Sequence, residues 1–154
     1  MIRTDRRVRL CAVLLALNIL FIWGNSLLPG SVSGAISQFV RDLLAFLLGS
    51  SSGDPNAGHG LLRKLAHFTE FACLGALLAW LLGMLCKPLP FALLFGFLVA
   101  SIDETIQYFV PNRGPAFKDV LIDTAGALVG ISLLFLGYTI RKKQAKQCLE
   151  DTSK

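Results

Sequence analysis

Four apolar runs, each close to the length that crosses a lipid bilayer, constrain the possible fold of this chain more than any other feature of its sequence. They cover residues 10–28, 61–86, 91–110 and 117–140. A membrane-spanning helix needs about 20 predominantly apolar residues. Of the 154 residues, 54% are hydrophobic and only 16% are charged, whereas a soluble domain carries about a quarter charged residues. The sequence therefore predicts an all-α integral membrane protein built as a four-transmembrane-helix bundle.

A further helix is predicted between the first two spans. Apolar residues recur at helical spacing along one side of residues 32–48, and polar residues, including Arg41 and Asp42, lie towards the other. This pattern predicts an extracytoplasmic amphipathic helix at the membrane interface. A helix that packs on the bundle would show the same pattern. A polar, glycine- and serine-rich loop is predicted for residues 49–60.

Lysine and arginine residues are distributed unequally between the two sides that four spans create. The side with both chain ends carries ten of them, and the other side carries five. Because cytoplasmic segments beside membrane spans are enriched in Lys and Arg, we expect both termini in the cytoplasm. The net charge of +5 then reflects orientation and does not indicate a nucleic-acid partner. Residues 1–146 are predicted to form one membrane domain and residues 147–154 a polar cytoplasmic tail.

Polar residues gather at the predicted outer ends of the spans. Ionisable groups within membrane segments are costly and tend to be functional or mutually paired. At a rise of 1.5 Å per residue, His67, Glu104 and Asp123 lie roughly 8–10 Å below the outer surface, each on a different helix. The full set is Lys64, His67, Glu70, Asp103, Glu104, Gln107, Arg113, Lys118, Asp119 and Asp123. Gly126 and Gly130 continue the face of Asp119 and Asp123 and allow a neighbouring helix to approach closely.

Several roles fit these side chains. Ion pairs such as Lys64–Glu104 and Arg113–Asp119 would fix helix register, but they leave an excess of carboxylates that must be solvated, protonated or bound to a cation. The candidate catalytic residues for general acid–base chemistry are His67, Glu104, Asp119 and Asp123, and the same four residues can hold a divalent metal, although their spacing matches no defined metal motif. The candidate substrate-binding residues are Asn25, Lys64, Glu70, Gln107, Arg113 and Lys118. Proton-coupled transport is disfavoured because the inner half of each span is apolar.

Three segments resemble the VanZ-like family of bacterial membrane proteins. They read WGNSLLPG, RKLAHFTEFACLGALL and SIDETIQYFVPNRGPAFKDVLIDTAGALVG, and they occur in the family's order. The basic start of the chain also fits a cleavable signal peptide, but the first segment implies that the first span is retained. The resemblance implies a multi-pass protein of the bacterial cytoplasmic (inner) membrane. The founding member of the family is associated with low-level resistance to the glycopeptide teicoplanin.

The sequence and the resemblance together lead to one functional expectation and two alternatives. We expect an outward-facing polar site that acts on or binds a cell-envelope component, such as a membrane lipid or a lipid-linked or peptidoglycan-related precursor. One alternative is a membrane-embedded enzyme that acts on a phospholipid or polyprenyl head group. The other is a non-catalytic module that packs against partner membrane proteins. The sequence leaves the identity of any metal or cofactor unknown.

Overall fold

The computed structural model of the chain describes residues 2–48, 59–114 and 116–152. These residues form five α-helices and no β-strand: α1 (Ile2–Ser26), α2 (Gly30–Leu48), α3 (His59–Met84), α4 (Pro90–Tyr108) and α5 (Phe117–Thr152). Four of the helices, α1, α3, α4 and α5, are long and apolar enough to cross a membrane. The predicted all-α membrane fold with four spans is confirmed.

Two helices extend beyond the apolar runs that predicted them. Helix α1 begins at Ile2, and α5 continues past its apolar part to Thr152. The added residues are mostly Arg, Lys, Gln, Ala and other good helix formers, so the helices continue where the apolar pattern ends. Helix α3 begins at His59, within the predicted loop. Residues 49–58 of that loop lie outside the described part of the chain.

Helix α3 lies at the centre of the bundle and contacts α1, α2, α4 and α5. The buried core joins Ile22 of α1 and Phe71 of α3 to Ala100 of α4 and Ile131 of α5. Large apolar side chains on the outer faces, such as Phe135, remain exposed. Such faces suit a lipid environment, where exposed apolar groups carry no penalty.

Helices α3 and α5 run in the same direction and pack with their backbones in contact. A Cβ atom added at Gly126 would overlap the carbonyl oxygen of Phe68, and one added at Gly130 would overlap that of Ala72. Only glycine permits this approach. The prediction that these two glycines admit a neighbouring helix agrees with the structure, and the neighbour is α3.

Most of the polar residues that were predicted to gather at the outer ends of the spans lie at one end of the bundle. We define the polar end as the last turns of α1 and α4, the first turns of α3 and α5, and the connection between α4 and α5. The connection turns at Asn112, whose φ of 58° is tolerated by asparagine better than by most residues. The start of α2 is attached here, because the Gly30 N–H donates to the Pro111 carbonyl at 3.2 Å.

The apolar side chains of α2 that the structure describes are exposed, although the helix itself contacts α3. Val32, Ile36, Phe39 and Leu43 are 43–69% exposed. A membrane interface would cover these side chains, as it covers other amphipathic helices. The interfacial position of α2 stays a prediction that this exposure supports.

The orientation of the bundle in the membrane can be tested with reporter fusions. Because four spans return the chain to its starting side, a fusion after Ile140 and a fusion within residues 49–60 should report opposite compartments. From the distribution of basic residues we expect the first to be cytoplasmic and the second extracytoplasmic. A cytoplasmic signal from the fusion within residues 49–60 would contradict this orientation.

Candidate functional site

A small pocket lies between α3, α4 and α5 at the polar end of the bundle. Its volume is about 10 Å³, room for about one water molecule. Eight residues line it: Arg63, Lys64, His67, Glu104, Gln107, Asp119, Ile122 and Asp123. The three helices thus bring basic, acidic and imidazole groups together at one depth.

Helical spacing explains how each helix delivers more than one side chain to the pocket. Lys64 and His67 are three residues apart on α3, and Asp119 and Asp123 are four apart on α5. Residues at these separations lie on one face of a helix. Each face turns towards the pocket because the apolar residues beside it pack into the core.

The mouth of the pocket, formed by Arg63, Lys64 and Asp119, is partly open to solvent. The Lys64 Nζ lies 3.5 Å from the Asp119 Oδ1, and these two side chains are 46% and 22% exposed. An exposed pair of this kind contributes about 0–1 kcal/mol. The predicted Lys64–Glu104 pair is wrong, because Lys64 reaches the start of α5 and not α4.

Glu104 is held by the backbone at the start of α5. Its Oε2 accepts a hydrogen bond from the Ala116 N–H at 3.0 Å. The first N–H groups of a helix have no partner within the helix, and a carboxylate there also interacts favourably with the helix dipole. Glu104 therefore lines the pocket and also attaches α4 to α5.

His67 and Asp123, which line the pocket, lie close to Asp103, which is buried beside it, so that one residue from each of three helices comes together. We call these three residues the floor of the pocket. One potential ligand atom from each residue lies within 4.8 Å of the other two. Asp103 is fully buried and Asp123 is 1% exposed. The nearest His67–Asp103 approach, from Nδ1 to Oδ2, is 3.8 Å, too long for a hydrogen bond.

Asp103 was not selected as a site residue from the sequence, although it belongs to the same polar stretch. Gln107 donates a hydrogen bond to the Asp103 Oδ2 at 2.8 Å, and the same amide nitrogen donates to the Ser26 Oγ at 3.2 Å. The sequence did contain a signal for Asp103, because it lies four residues before Gln107 and therefore on the same face of the helix. Arg63 was also not selected from the sequence. Its position next to Lys64 on α3 could have indicated that it lies near the same site.

Arg113, Asn25 and Glu70 form a separate layer against the end of α1. Arg113 donates to the carbonyl oxygens of Asn25 at 2.8 Å and Leu28 at 3.3 Å. The Asn25 side-chain amide donates to the Glu70 Oε1 at 2.9 Å. The predicted Arg113–Asp119 pair is therefore wrong. Burial lowers the pKa of Arg113, but a guanidinium keeps its charge at any physiological pH.

Six of the ten predicted site residues line the pocket, and four do not. Asn25, Glu70 and Arg113 lie in the layer beside α1 just described. Lys118 is exposed and is not among the residues that line the pocket. The roles of all ten residues stay predictions, and the geometry favours the six that line the pocket.

The fold and the pocket define a multi-pass membrane protein with a charged pocket at one end of a four-span bundle. The chain belongs to the VanZ/LLP1 family, whose model matches residues 11–138. The family predicted from the sequence is thereby confirmed. The matched region includes every residue of the pocket. No curated protein and no solved structure matches the chain significantly.

Proposed function

We propose that the partly open mouth of the pocket binds the anionic head group of a lipid-linked component of the bacterial cell envelope, and that the residues lining the pocket act on it. The observation that supports this most directly is the position of the pocket at the ends of three apolar spans. A head group held at the membrane surface reaches such a position while its apolar chain stays in lipid. We place this end of the bundle on the extracytoplasmic side, as the distribution of basic residues indicates.

The charges of the pocket suit a ligand that contains phosphate. Arg63 and Lys64 lie at the mouth, and guanidinium and ammonium groups are the usual partners of phosphate oxygens. Lys64 can leave Asp119 for a ligand at little cost, because their ion pair is partly exposed. Phospholipids and polyprenyl-linked precursors share this phosphate chemistry, and both lie in the same membrane.

The groups deeper in the pocket can act on a bound head group. Glu104 and His67 line the cavity, and a carboxylate or an imidazole at hydrogen-bond distance from a ligand can serve as a general base or acid. The resistance associated with the founding member of the family also suggests an envelope substrate. A glycopeptide susceptibility phenotype is therefore a suitable readout.

The proposal is tested by removing charge from the pocket without changing side-chain shape. We expect the double variant Glu104→Gln/Asp119→Asn to lose the envelope phenotype, and His67→Gln to lose it as well. The fold should survive. A glutamine oxygen can still accept from the Ala116 N–H, and the Lys64–Asp119 pair contributes about 0–1 kcal/mol. Glycopeptide susceptibility and thermal stability in detergent are measured for each variant.

A matched pair of lysine variants provides the control. Lys64→Gln removes a charge from the mouth, whereas Lys118→Gln removes one from an exposed position outside the pocket. We expect loss of phenotype, and weaker binding to vesicles containing anionic lipid, only for Lys64→Gln. A wild-type phenotype in the double variant Glu104→Gln/Asp119→Asn would refute the proposal and leave a structural role for these charges.

A further inference from the structure

We propose that His67 and Asp123 at the floor of the pocket, together with the buried Asp103 beside them, form a binding site for one divalent transition-metal ion. This inference concerns the same pocket. The part of it that assigns the metal a role towards a phosphate-containing substrate rests on the proposed function. Metal binding itself is measured with the ion alone, so the two proposals can fail separately.

The donor set and its spacing fit a metal site. One imidazole nitrogen and two carboxylate oxygens lie within 4.8 Å of one another. Two ligands that are each about 2.1 Å from a tetrahedral metal are roughly 3.4 Å apart, close to the 3.8 Å between the His67 Nδ1 and the Asp103 Oδ2. A small movement of side chains would bring all three atoms to one ion. Imidazole and carboxylate ligands together suit Zn²⁺ and Mn²⁺.

Unpartnered polar atoms on all three residues provide a second, independent observation. The Nδ1 of His67 and the Oδ1 atoms of Asp103 and Asp123 are buried and have no hydrogen-bond partner. Buried polar groups are almost always hydrogen-bonded, and each exception calls for an explanation such as an ion. The two carboxylates are at least 99% buried, so bulk solvent does not satisfy these atoms.

Charge balance points to the same conclusion. The charged groups that act most strongly on Asp123 are the carboxylates of Asp103, Glu104, Asp119 and Glu70. Two carboxylates buried side by side within membrane spans are costly when both are ionised. A divalent cation neutralises both of them at once. It also removes a difficulty of the proposed function, since an acidic floor would otherwise repel a phosphate.

The surroundings of the three residues resemble those of established metal sites. Gln107 donates to one oxygen of Asp103 and is itself held by Ser26 of α1, as outer hydrogen bonds commonly orient a ligating carboxylate. His67 and Asp123 also line the pocket, which provides a path for the ion. Three protein ligands with one side open to a pocket are typical of catalytic rather than structural sites.

Metal binding is measured on full-length protein in detergent after treatment with a chelator. We expect about one Zn²⁺ or Mn²⁺ per chain by elemental analysis after equilibrium dialysis. The variants Asp103→Asn and Asp123→Asn should each bind at least about 10-fold more weakly, since even outer-shell changes cost 10–100-fold in affinity. Asp119→Asn serves as the matched control, because Asp119 is an acid of the same pocket that pairs with Lys64. This variant should lose clearly less affinity than either floor variant. A second readout is the melting temperature, which the metal should raise in the wild type and in Asp119→Asn only.

Three results would overturn the inference: no metal above background in the wild-type protein, wild-type affinity in both floor variants, or an equal loss in Asp119→Asn. If the floor variants do not fold, Gln107→Leu replaces them, and it should weaken binding while the three ligands remain. Loss of phenotype in the Glu104→Gln/Asp119→Asn double variant without any metal binding would refute the metal site and leave the proposed function. Metal binding together with a wild-type phenotype in that double variant would refute the proposed function and leave the metal site.

Discussion

Replacing Gly130 with valine should separate α3 from α5 and prevent the bundle from forming its native packing. A Cβ atom at this position would overlap the backbone carbonyl of Ala72, and a backbone atom of a central helix cannot rotate away as a side chain can. Overpacking usually costs about 1–3 kcal/mol, and we expect a cost at or above the upper end of that range. Helix association in membranes depends on such close contacts between small residues.

The measurements are size-exclusion chromatography and thermal unfolding in detergent. We expect Gly130→Val to aggregate or to melt at least about 10 °C below the wild-type protein, in line with a few kcal/mol for a chain of this size. Gly137→Val is the matched control, because Gly137 lies seven residues further along α5 and a Cβ there meets no atom within 4 Å. Equal stability of the two variants would show that the close contact between α3 and α5 is not required.

The contact between α3 and α5 also explains why a substitution far from the pocket should abolish its function. Helix α3 carries His67 and Lys64, and α5 carries Asp119 and Asp123, so the distance between the helices sets the distances within the pocket. Glycines one and two turns below Asp123 thus determine how closely its carboxylate approaches His67. The stability of the bundle and the geometry of the pocket therefore depend on the same contact between α3 and α5.

The sequence predicted the spans and the gathering of polar residues at one end of the bundle because both depend on distance along the chain. The length of an apolar run shows whether a helix can cross a bilayer, and the rise per residue predicts that His67, Glu104 and Asp123 lie at one level of the bundle, where the pocket brings them together. The small-residue face of Gly126 and Gly130 was also visible as a spacing of four. These features involve one helix at a time.

The partners of the polar residues were not predictable in the same way, because they depend on the rotation of each helix. Adjacent residues on a helix point about 100° apart, and Gln107 shares a face with both Asp103 and Glu104. The structure directs Asp103 towards His67 and Glu104 towards the backbone of α5. Helix periodicity cannot choose between these two carboxylates, and so the sequence selected Glu104 and omitted Asp103.

Arg113 shows the same limitation for a residue outside the helices. Its long side chain was predicted to meet a carboxylate or a substrate, yet it donates to the carbonyl oxygens of Asn25 and Leu28. The last carbonyl groups of a helix lack partners within the helix, and α1 has no basic residue in its last turn. Arg113 supplies the missing positive charge and hydrogen bonds from a different part of the chain.

Arg113→Met should therefore destabilise the polar end strongly while leaving the spans apolar and intact. A hydrogen bond from a charged donor contributes about 1.5–3 kcal/mol. Its loss removes the donor to the Leu28 carbonyl, whereas the Asn25 carbonyl still accepts from the Leu28 N–H. Arg113 further offsets the negative charge of Glu70, Asp103 and Glu104, which act on it from α3 and α4. We expect a loss of about 2–4 kcal/mol in the free energy of unfolding, measured as a lower melting temperature in detergent.

Two further variants separate the geometric role of Arg113 from its charge. Arg113→Lys keeps the charge but loses the planar fork that reaches two carbonyl oxygens, so it should recover less than half of the lost stability. Lys118→Met removes a neighbouring exposed charge and should change stability by no more than about 0.5 kcal/mol. Full recovery in Arg113→Lys would mean that charge alone matters here. Wild-type stability in Arg113→Met would show that the end of α1 needs no such anchor, because its carbonyl groups can then be satisfied by other donors.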